Sequence, residues 1–592
     1  MAIGPVLWLG PLLLVSLWGS SAPGRRILSV RQGVLRGPGL TLSPPRPTAS
    51  LLRRLGEHIQ RFQGSSGLGL SLDPGGVALP KEGWLEQPLD PFNASNRRSF
   101  LQRYWVNDQH WTSQDGPVFL HLGGEGSLGP GSVMRGHPAT LAPVWGALVI
   151  GLEHRFYGLS IPAEGLDVAQ LRFLSSRHAL ADVVSARLAL SRLFNVSFSS
   201  PWLCFGGSYA GSLAAWARLK VPGLLWEDWG EGTWTLGSPT QITEYLHTTL
   251  SPPTLSFPPR RFPHLIFASV ASSAPVRAIL DFSEYNDVVS RSLMNTAIGG
   301  SLECRAAASA AFAEVERRLR AGRSAQAALR AELGACGSLG RAADQAELLG
   351  ALQALVGGAV QYDGQAGAPL SVRQLCGLLL GDRDNCSSPA PYCGLRRAVQ
   401  VVTHSLGQKC LSFSRAETVA QLKVTETQVA GVGDRQWLYQ TCTEFGYYVT
   451  CEVPGCPFSQ LPALPSQLEL CEQVFGFSAA SIAQAVSQTN SYYGGQTPGA
   501  TQVLFVNGDV DPWHVLSITQ PLGPSESALL IPNASHCLDM APERPSDSPS
   551  LRLARQCCSL TVQILSTSPQ NIFQQLQTWL GPAKKSQVRG GV

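Results

Sequence analysis

The first half of the chain alternates short apolar runs with a helical pattern. PVFLHL (117–122), ALVIGL (147–152) and WLCF (202–205) are continuous apolar runs, which are typical of strands buried on both faces of a parallel sheet. Between the second and third runs, residues 170–194 carry apolar side chains at helical spacing, which predicts an amphipathic crossover helix. This order of elements predicts an α/β fold with a doubly wound, mostly parallel sheet.

The pattern changes after the apolar run LIFASVA (265–271). Residues 302–356 are rich in Ala, Leu and Arg with a helical period, which predicts a helical cap domain inserted into the sheet. Strand-like runs and a closing amphipathic helix return near the C-terminus, at residues 502–507, 528–531 and 572–579.

These patterns divide the chain into a leader, an N-terminal segment, two parts of an α/β core, a cap and a tail. The N-terminal segment is a candidate pro-region. The predicted bounds are 1–24 (signal peptide), 25–80 (N-terminal segment), 81–276 (first core part), 277–415 (cap), 416–582 (cap remainder and second core part) and 583–592 (tail).

Composition excludes several classes of protein. Gly (60) and Pro (42) are too few among 592 residues for a collagen-like or low-complexity chain. The net charge is only +4, and no run of Lys and Arg with interleaved aromatics forms a basic patch. The sequence therefore predicts a globular protein that has no nucleic-acid partner.

Residues 1–24 have the features of a secretory signal peptide: an apolar stretch followed by the small residues Ser20–Ala22. A membrane anchor is the alternative. However, Gly10 and Pro11 interrupt the run, which is shorter than the roughly 20 residues that a spanning helix needs. We predict cleavage, entry into the secretory pathway and no stable membrane insertion.

The cysteines fit this route. The chain has 14 cysteines, and oxidising compartments favour disulfides. Zinc is the alternative, but the close pairs do not form the repeated CxxC pattern of a zinc site; these pairs are Cys386 with Cys393 and Cys451 with Cys456. We predict disulfides in the cap, no metal and no cofactor. Glycosylation sequons start at Asn93, Asn195, Asn385 and Asn533.

The segment FGGSYAG places Ser208 between the strand-like run WLCF and the helix-like run SLAAWARLK. A serine on a sharp strand-to-helix turn is the nucleophile elbow of serine hydrolases, and small neighbours such as Gly206, Gly207 and Ala210 allow the chain to turn. The alternative is a glycine-rich turn with a capping serine. A serine nucleophile also needs a histidine base and an orienting carboxylate, which follow it in the order Asp, His in this fold.

Both partners follow later strand-like runs. Asp509 and Asp511 come directly after QVLFVN, and His536 comes 25 residues after Asp511, beyond the next run. Active sites of open α/β sheets lie at the carboxyl ends of the strands. Taken alone, such an Asp is usually turn chemistry and such a His is usually structural. Their joint occurrence in this order predicts a triad of Ser208, His536 and one of the two acids, Asp509 or Asp511.

Five motifs in order resemble the prolyl-carboxypeptidase and dipeptidyl-peptidase family of lysosomal-type serine peptidases. The motifs are GGSYAG, EHRFYG (153–158), WLYQTCTE (437–444), NGDVDPW and SHCLD. The resemblance spans about Trp84 to Leu580. It implies an α/β-hydrolase fold with a helical cap, peptide substrates cleaved next to proline, and residence in endosomal or lysosomal vesicles. It also implies Ser208 as nucleophile, Asp511 as the orienting acid and His536 as general base.

Further residues are candidates for the site. The amide of Tyr209 is a candidate oxyanion donor, and a second is expected near Gly124 in the loop GGEGS. Glu125 in that loop is a candidate for holding a substrate amino terminus, with a solvated loop acid as the alternative. Trp513 offers a flat wall for a proline ring, with ordinary core packing as the alternative.

Two segments depart from the family pattern. Residues 221–261 are far longer than the 2–6 residues that usually join a helix to the next strand, and residues 557–570 bring two further cysteines. We hypothesise that a chain without both segments folds better; equal yield and activity of the two forms would refute this. Cys204 and Cys537 are candidate free thiols, and a glycan at Asn533 would lie close to His536.

The sequence leaves other functions open. An esterase uses the same triad, and a hydrolase fold with a blocked cleft serves as a binding protein without activity. Faster turnover of small esters than of proline peptides would identify an esterase, and no turnover would identify a binding protein. Whether peptides are cut from the amino or the carboxyl end, and whether the chain forms a homodimer, stay open.

Overall fold

The strands that the apolar runs predict assemble into one eight-stranded sheet together with its first two strands in chain order, which those runs do not predict. The structure is a computed structural model that describes residues 51–66, 79–224, 265–381, 386–426, 433–523, 526–555 and 571–588. The strands of the sheet are β1 (Lys81–Pro88), β2 (Ser99–Asn107), β3 (Val118–Leu122), β4 (Leu148–Leu152), β5 (Trp202–Gly207), β6 (Ala268–Ser272), β9 (Val503–Gly508) and β10 (Glu526–Ile531). A separate parallel pair joins β7 (Ile279–Asp281) to β8 (Gly446–Tyr448).

The strand order in the sheet is β1-β2-β4-β3-β5-β6-β9-β10. The pairs β1–β2 and β2–β4 are antiparallel, and the remaining pairs are parallel. Parallel neighbours need crossover connections, and helices supply them here. The prediction of an α/β fold with a doubly wound, mostly parallel sheet is confirmed.

Helices surround the sheet and form the cap. Those next to the core strands in sequence are α1 (Leu51–Ser66), α2 (Gly131–Met134), α3 (Gly136–Trp145), α4 (Val168–Leu171), α5 (Ser176–Leu193), α6 (Tyr209–Leu224), α17 (Pro549–Arg555) and α18 (Ile572–Val588). Those between β7 and β9 are α7 (Glu284–Ser292), α8 (Leu302–Arg320), α9 (Arg323–Glu332), α10 (Ala342–Gln361), α11 (Val372–Leu380), α12 (Ala390–Ser405), α13 (Arg415–Leu422), α14 (Asp434–Gln440), α15 (Leu464–Phe475) and α16 (Ala479–Tyr493).

The central strands are apolar on both faces because both faces are covered. Along β3, Val118 and Leu120 join one hydrophobic cluster and Phe119 joins the other, since successive side chains of a strand point to opposite faces. The first cluster includes Leu180 of α5 and the second includes Leu141 of α3. Burial on both faces therefore explains why these strands are continuous apolar runs.

Local signals set the helix bounds. The side chain of Ser175 accepts a hydrogen bond from the amide of His178 and starts α5. The elbow helix α6 reaches Leu224, beyond the end near Lys220 that the sequence indicates. Several predicted features lie outside the described residues: the signal peptide 1–24, residues 225–261 of the first additional segment, Asn385 and the second additional segment 557–570.

Among the described residues, five disulfides join cysteines that follow β7 in the chain. They are Cys304–Cys376, Cys336–Cys410, Cys386–Cys393, Cys442–Cys471 and Cys451–Cys456. The two close pairs for which zinc was the alternative are therefore disulfides. Cys204 and Cys537 are free thiols in the described chain, as predicted.

The described residues belong to one unit, Arg46–Val592. Within the described ranges, every helix is too short or too polar to cross a bilayer. The carboxyl ends of β5, β9 and β10 lie at the same edge of the sheet, because these strands are parallel members of it. The candidate residues follow these three strands.

Candidate active site

Ser208 occupies a strained turn between β5 and α6. Its φ is +59°, a left-handed conformation that costs energy for a residue with a Cβ. The amide of Ser208 donates to the carbonyl oxygen of Ser272 on β6 at 3.0 Å. The turn also requires glycine before the serine, because a Cβ at Gly206 would lie 2.1 Å from the carbonyl oxygen of Ala210. This is the backbone geometry of a nucleophile elbow.

Asp511 and His536 form a buried pair. Nδ1 of His536 lies 2.9 Å from Oδ1 of Asp511, and the two residues are 6% and 0% exposed. The same carboxylate oxygen accepts a hydrogen bond from the amide of Trp513 at 3.0 Å. Asp509, the other acid after β9, is exposed and accepts from the amide of Asn533. Only Asp511 is therefore placed to orient the imidazole.

The charge of Asp511 affects the basicity of His536. Burial acts to lower the pKa of His536, but the Asp511 carboxylate and the Cys537 thiol beside the imidazole hold that pKa well above its usual value. A carboxylate on Nδ1 also fixes the tautomer, so that Nε2 is the nitrogen free to accept a proton.

One cavity of about 1120 Å³ contains the candidate residues. Its lining includes Ser208, Tyr209, Gly124, Glu125, Trp513 and His536. Asp511 lies behind this lining. The structure therefore brings the residues selected from the sequence to one site, although they are far apart in the chain.

The two candidate oxyanion donors lie next to the nucleophile. Tyr209 is the first residue of α6, so its amide has no acceptor within the helix and adds to the positive end of the helix dipole. Gly124 packs against the same helix start, since a Cβ there would lie 3.4 Å from the amide nitrogen of Ala210. Both residues therefore lie beside the start of the helix that follows the nucleophile.

A buried ion pair holds the loop that carries Gly124. Oε1 of Glu153 accepts hydrogen bonds from Arg103 at 2.7 Å and from the amide of Leu128 at 2.9 Å. Arg103 also donates to the carbonyl oxygen of Leu128 at 2.7 Å. Oε2 of Glu153 accepts from Ser160 at 2.7 Å. Glu153 is the first residue of the EHRFYG motif. This motif therefore lies behind the loop that carries Gly124.

The EHRFYG and WLYQTCTE motifs meet behind the elbow helix. Nε2 of His154 lies 3.0 Å from the hydroxyl of Tyr209, which also accepts from the side-chain amide of Gln440 at 3.0 Å. The hydroxyl of Tyr157 donates to Oε1 of Gln440 at 2.7 Å. Burial lowers the pKa of His154 to about 4, so this imidazole is neutral and serves the network rather than proton transfer.

Trp513 lies among aromatic rings on one wall of the cavity. Its ring centroid is 5.2 Å from that of Phe282, 5.3 Å from Tyr447 and 6.0 Å from Tyr285. Its indole nitrogen donates to Oε1 of Gln361 at 3.0 Å. The indole is therefore fixed in place while part of it remains accessible in the cavity.

The remaining predicted residues have varied surroundings. Asn93 and Asn195 are exposed, as glycan acceptors must be, whereas Asn533 is half-buried and its side-chain oxygen accepts from Asn295 at 2.9 Å. Cys537 lines the cavity. Cys204 is buried in β5, and burial raises the pKa of its thiol.

The sequence patterns did not identify helix α1 as part of the site. Leu51, Leu55 and Ile59 are buried, and the polar residues Arg53 and Gln63 of the same helix line the cavity. The spacing of the three apolar residues was the available signal for a helix. Nothing in that spacing indicates where the helix docks.

The sequence of this chain matches one protein family over most of its length. The model of serine carboxypeptidase S28 matches residues 87–232 and 256–558. The chain belongs to the serine carboxypeptidase S28 family. Residues 233–255, which the family model leaves unmatched, fall within the additional segment 221–261.

Curated relatives agree with this family. Thymus-specific serine protease of Homo sapiens is 72% identical over 594 aligned positions, covering 100% of both chains. The protein of that name from Mus musculus is 68% identical over 582 positions, covering 98% of this chain and 99% of its own. Lysosomal Pro-X carboxypeptidase of Bos taurus is 24% identical over 489 positions, covering 80% of this chain and 85% of its own. This S28 member is a serine peptidase with an α/β-hydrolase fold, and peptides are its substrates.

Proposed function

We propose that this S28 peptidase is an exopeptidase that hydrolyses peptides next to proline through Ser208, Asp511 and His536. The observation that carries the proposal is the 2.9 Å contact between Asp511 and His536, in a site whose cavity also holds the strained Ser208. An activated serine needs a base that a third group orients. This pair supplies the base and the orienting group.

The reaction proceeds in two acyl-transfer steps. His536 takes the hydroxyl proton of Ser208 as the oxygen attacks the scissile carbonyl, and Asp511 stabilises the resulting imidazolium. The amides of Tyr209 and Gly124 donate to the oxyanion. His536 then gives its proton to the leaving amine, which leaves an ester on Ser208. Water, deprotonated by His536, hydrolyses that ester and restores the serine.

The aromatic wall supports proline as the neighbouring residue. A proline ring is apolar and rigid, so it loses little conformational freedom when it packs against the flat indole of Trp513. The name of the bovine relative, a Pro-X carboxypeptidase, agrees with this preference. We propose Trp513 as the wall of the proline pocket. We propose Glu125 as a partner for a charged substrate amino terminus, which would favour cleavage from that end.

The chemistry of the chain and the names of its relatives support a proposal for the cell compartment. Disulfides such as Cys304–Cys376 form and persist in oxidising compartments, and exposed sequons at Asn93 and Asn195 fit the same route. The bovine relative is named as lysosomal and two relatives as thymus-specific. We propose a glycosylated enzyme of endosomal or lysosomal vesicles that processes antigenic peptides in the thymus and thereby contributes to T-cell development.

A fluorophosphonate probe and matched peptides test the proposal. The secreted protein should be labelled by the probe, and Ser208→Ala should abolish labelling while its melting temperature stays unchanged. Peptides that differ only by Pro or Ala next to the scissile bond should then be cleaved with a clear preference for Pro. Fast hydrolysis of small esters without peptide cleavage would favour an esterase. No labelling of the folded wild type would favour a binding protein.

A further inference from the structure

Helix α1 contributes to the active-site cavity from outside the family match. It spans Leu51–Ser66, whereas the S28 model starts at residue 87. Leu51, Leu55 and Ile59 are 2–3% exposed and fix the helix against the rest of the protein. A Cβ at Gly358 of α10 would lie 2.6 Å from Cδ1 of Leu55, so the two helices pack closely. The part of α1 that faces the cavity is therefore held in a defined position.

The N-terminal part of α1 is hydrogen-bonded to the loop that carries Gly124, the candidate oxyanion donor. Nη2 of Arg53 donates to the carbonyl oxygen of Glu125 at 2.7 Å. The Nε of Arg53 donates to Asp434 of α14 at 3.1 Å, and its guanidinium lies 5.7 Å from the centre of the Trp437 ring. The side chains of Arg53 and Asp434 are 14% and 18% exposed. Arg53 thus connects three elements in a largely dry setting, where such bonds are stronger than at the surface.

The C-terminal part of α1 contacts the segment around His536, the candidate base. The side-chain amide of Gln63 donates to Oε1 of Gln365 at 3.3 Å, and Gln365 donates to the carbonyl oxygen of His536 at 2.5 Å. A Cβ at Gly56 would lie 2.6 Å from the hydroxyl of Tyr362, so the helix backbone is packed against that ring. The helix therefore spans the cavity between the Gly124 loop and the His536 segment.

We propose that α1 is a permanent wall of the active site that limits the length of the substrate, and that Arg53 is a positioning residue for the Gly124 loop. A cavity of about 1120 Å³ is close to the roughly 1,000 Å³ that bounds small-molecule sites. An extended peptide needs about 3.3 Å per residue, so only a short stretch fits beneath a helix fixed at both sides. The inference rests on the proposed peptidase function and explains why chain ends would be preferred.

Three variants of the full chain test this wall. Arg53→Met keeps the aliphatic stem and removes the bonds to Glu125 and Asp434. Gln63→Ala removes the bond to Gln365 at the other side. His58→Gln is the control, because this half-buried residue of α1 is not among the residues that line the cavity. The readouts are kcat and KM for peptides of increasing length that share one scissile bond, together with the mass of the fluorophosphonate-labelled protein.

Both wall variants should raise kcat/KM for long peptides relative to short ones by about tenfold, and the control should not. Arg53→Met alone should also lower kcat on the shortest peptide by about tenfold with little change in KM, since a displaced oxyanion donor weakens the transition state. The two variants act on opposite sides of the cavity, so a folding defect in one leaves the other informative.

Other outcomes overturn the inference in distinguishable ways. An unchanged length ratio in both folded variants would show that α1 does not limit the substrate. A labelled wild-type protein whose mass shows that residues 51–66 are gone would show that α1 belongs to a removed pro-region. A wild type that neither labels nor cleaves peptides would remove the proposed function itself, and the inference with it.

Discussion

The two sides of the active-site cavity are held in different ways. On the catalytic side, Ser208, Asp511 and His536 each follow a strand of the same sheet, and backbone hydrogen bonds such as Ser208 to Ser272 fix their positions. On the covering side, α1 is held by side chains: Leu51, Leu55 and Ile59 are buried, and Arg53 and Gln63 form hydrogen bonds at the cavity.

This difference predicts how substitutions on each side of the cavity act. A sheet positions its strand ends through many cooperative hydrogen bonds, so a single change on the catalytic side alters chemistry while the fold survives. A wall held by a few side-chain bonds, each contributing about 1 kcal/mol, responds in a graded way. We therefore expect single substitutions on the catalytic side to abolish catalysis. Single substitutions on the covering side should shift substrate selectivity by smaller amounts.

Asp511→Asn should have the largest effect and would define the catalytic side. An amide at this position leaves the imidazole with the wrong tautomer, so kcat should fall by about 10⁴-fold with little change in KM. Steady-state kinetics on a proline peptide would measure it. Asp509→Asn is the matched control, since that exposed acid follows the same strand without touching His536. Equal losses in both variants would contradict the assignment of Asp511.

Glu444, which follows α14 and contacts the start of α5, should make the fold more stable in acid. Its carboxylate accepts from the amide of Ser176 at 3.0 Å and from its hydroxyl at 2.5 Å, yet burial raises its pKa to about 7 from 4.5. A raised pKa in the folded state gives stability that is complete below about pH 4.5 and is lost as the pH rises to about 7. The loss should be on the order of 3 kcal/mol.

Unfolding by urea at pH 4.5 and pH 7.5 checks this pH dependence. Glu444→Gln removes the titrating group, so the difference between the two pH values should shrink. Glu417→Gln, at an exposed acid of α13, is the control and should retain the wild-type dependence. A wild-type protein that gains stability between these pH values would rule out the role of Glu444.

Glu153→Gln should have an intermediate effect, because this residue supports the catalytic loop from behind. The isosteric amide weakens the bonds to Arg103 and to the Leu128 amide, so the Gly124 loop should shift and kcat should fall by about 10- to 100-fold. Glu86→Gln, at an exposed acid on β1, is a suitable control. A Glu153→Gln protein with normal kcat and a lower melting temperature would indicate a structural role only.

Trp513→Leu should have the smallest effect. Leucine keeps the wall apolar but removes the flat face, so the preference for Pro over Ala should fall by about tenfold. The ratio of kcat/KM values for the matched peptides measures it. Labelling by the fluorophosphonate probe should persist, since Ser208 is untouched. An unchanged ratio would place the proline pocket elsewhere in the cavity.

Much of the fold was accessible from the sequence. The apolar runs at 117–122, 147–152 and 502–507 coincide with β3, β4 and β9 within a residue at either end, because strands buried on both faces are necessarily apolar throughout. The bounds of α6 differ by four residues from the sequence expectation, since helix ends depend on local contacts that periodicity does not encode.

The candidate site likewise contains some residues that the sequence identifies and others that it does not. Ser208, Asp511 and His536 were identifiable because each follows a strand-like run in the order that a serine hydrolase requires. The roles of Arg53, Glu153 and Glu444 were not identifiable from spacing alone. Asp434, the partner of Arg53, and Ser176, the partner of Glu444, lie hundreds of residues away, and Arg103, the partner of Glu153, lies on the separate strand β2.

The sequence by itself determined the α/β class, the strand-end residues and the abundance of cysteines in the cap, because periodicity and motif order are properties of neighbouring residues. Only the tertiary structure decided which cysteines pair and where α1 lies against the active-site cavity. These features depend on shape and polar complementarity between segments that are distant in the chain, and local patterns do not specify such contacts.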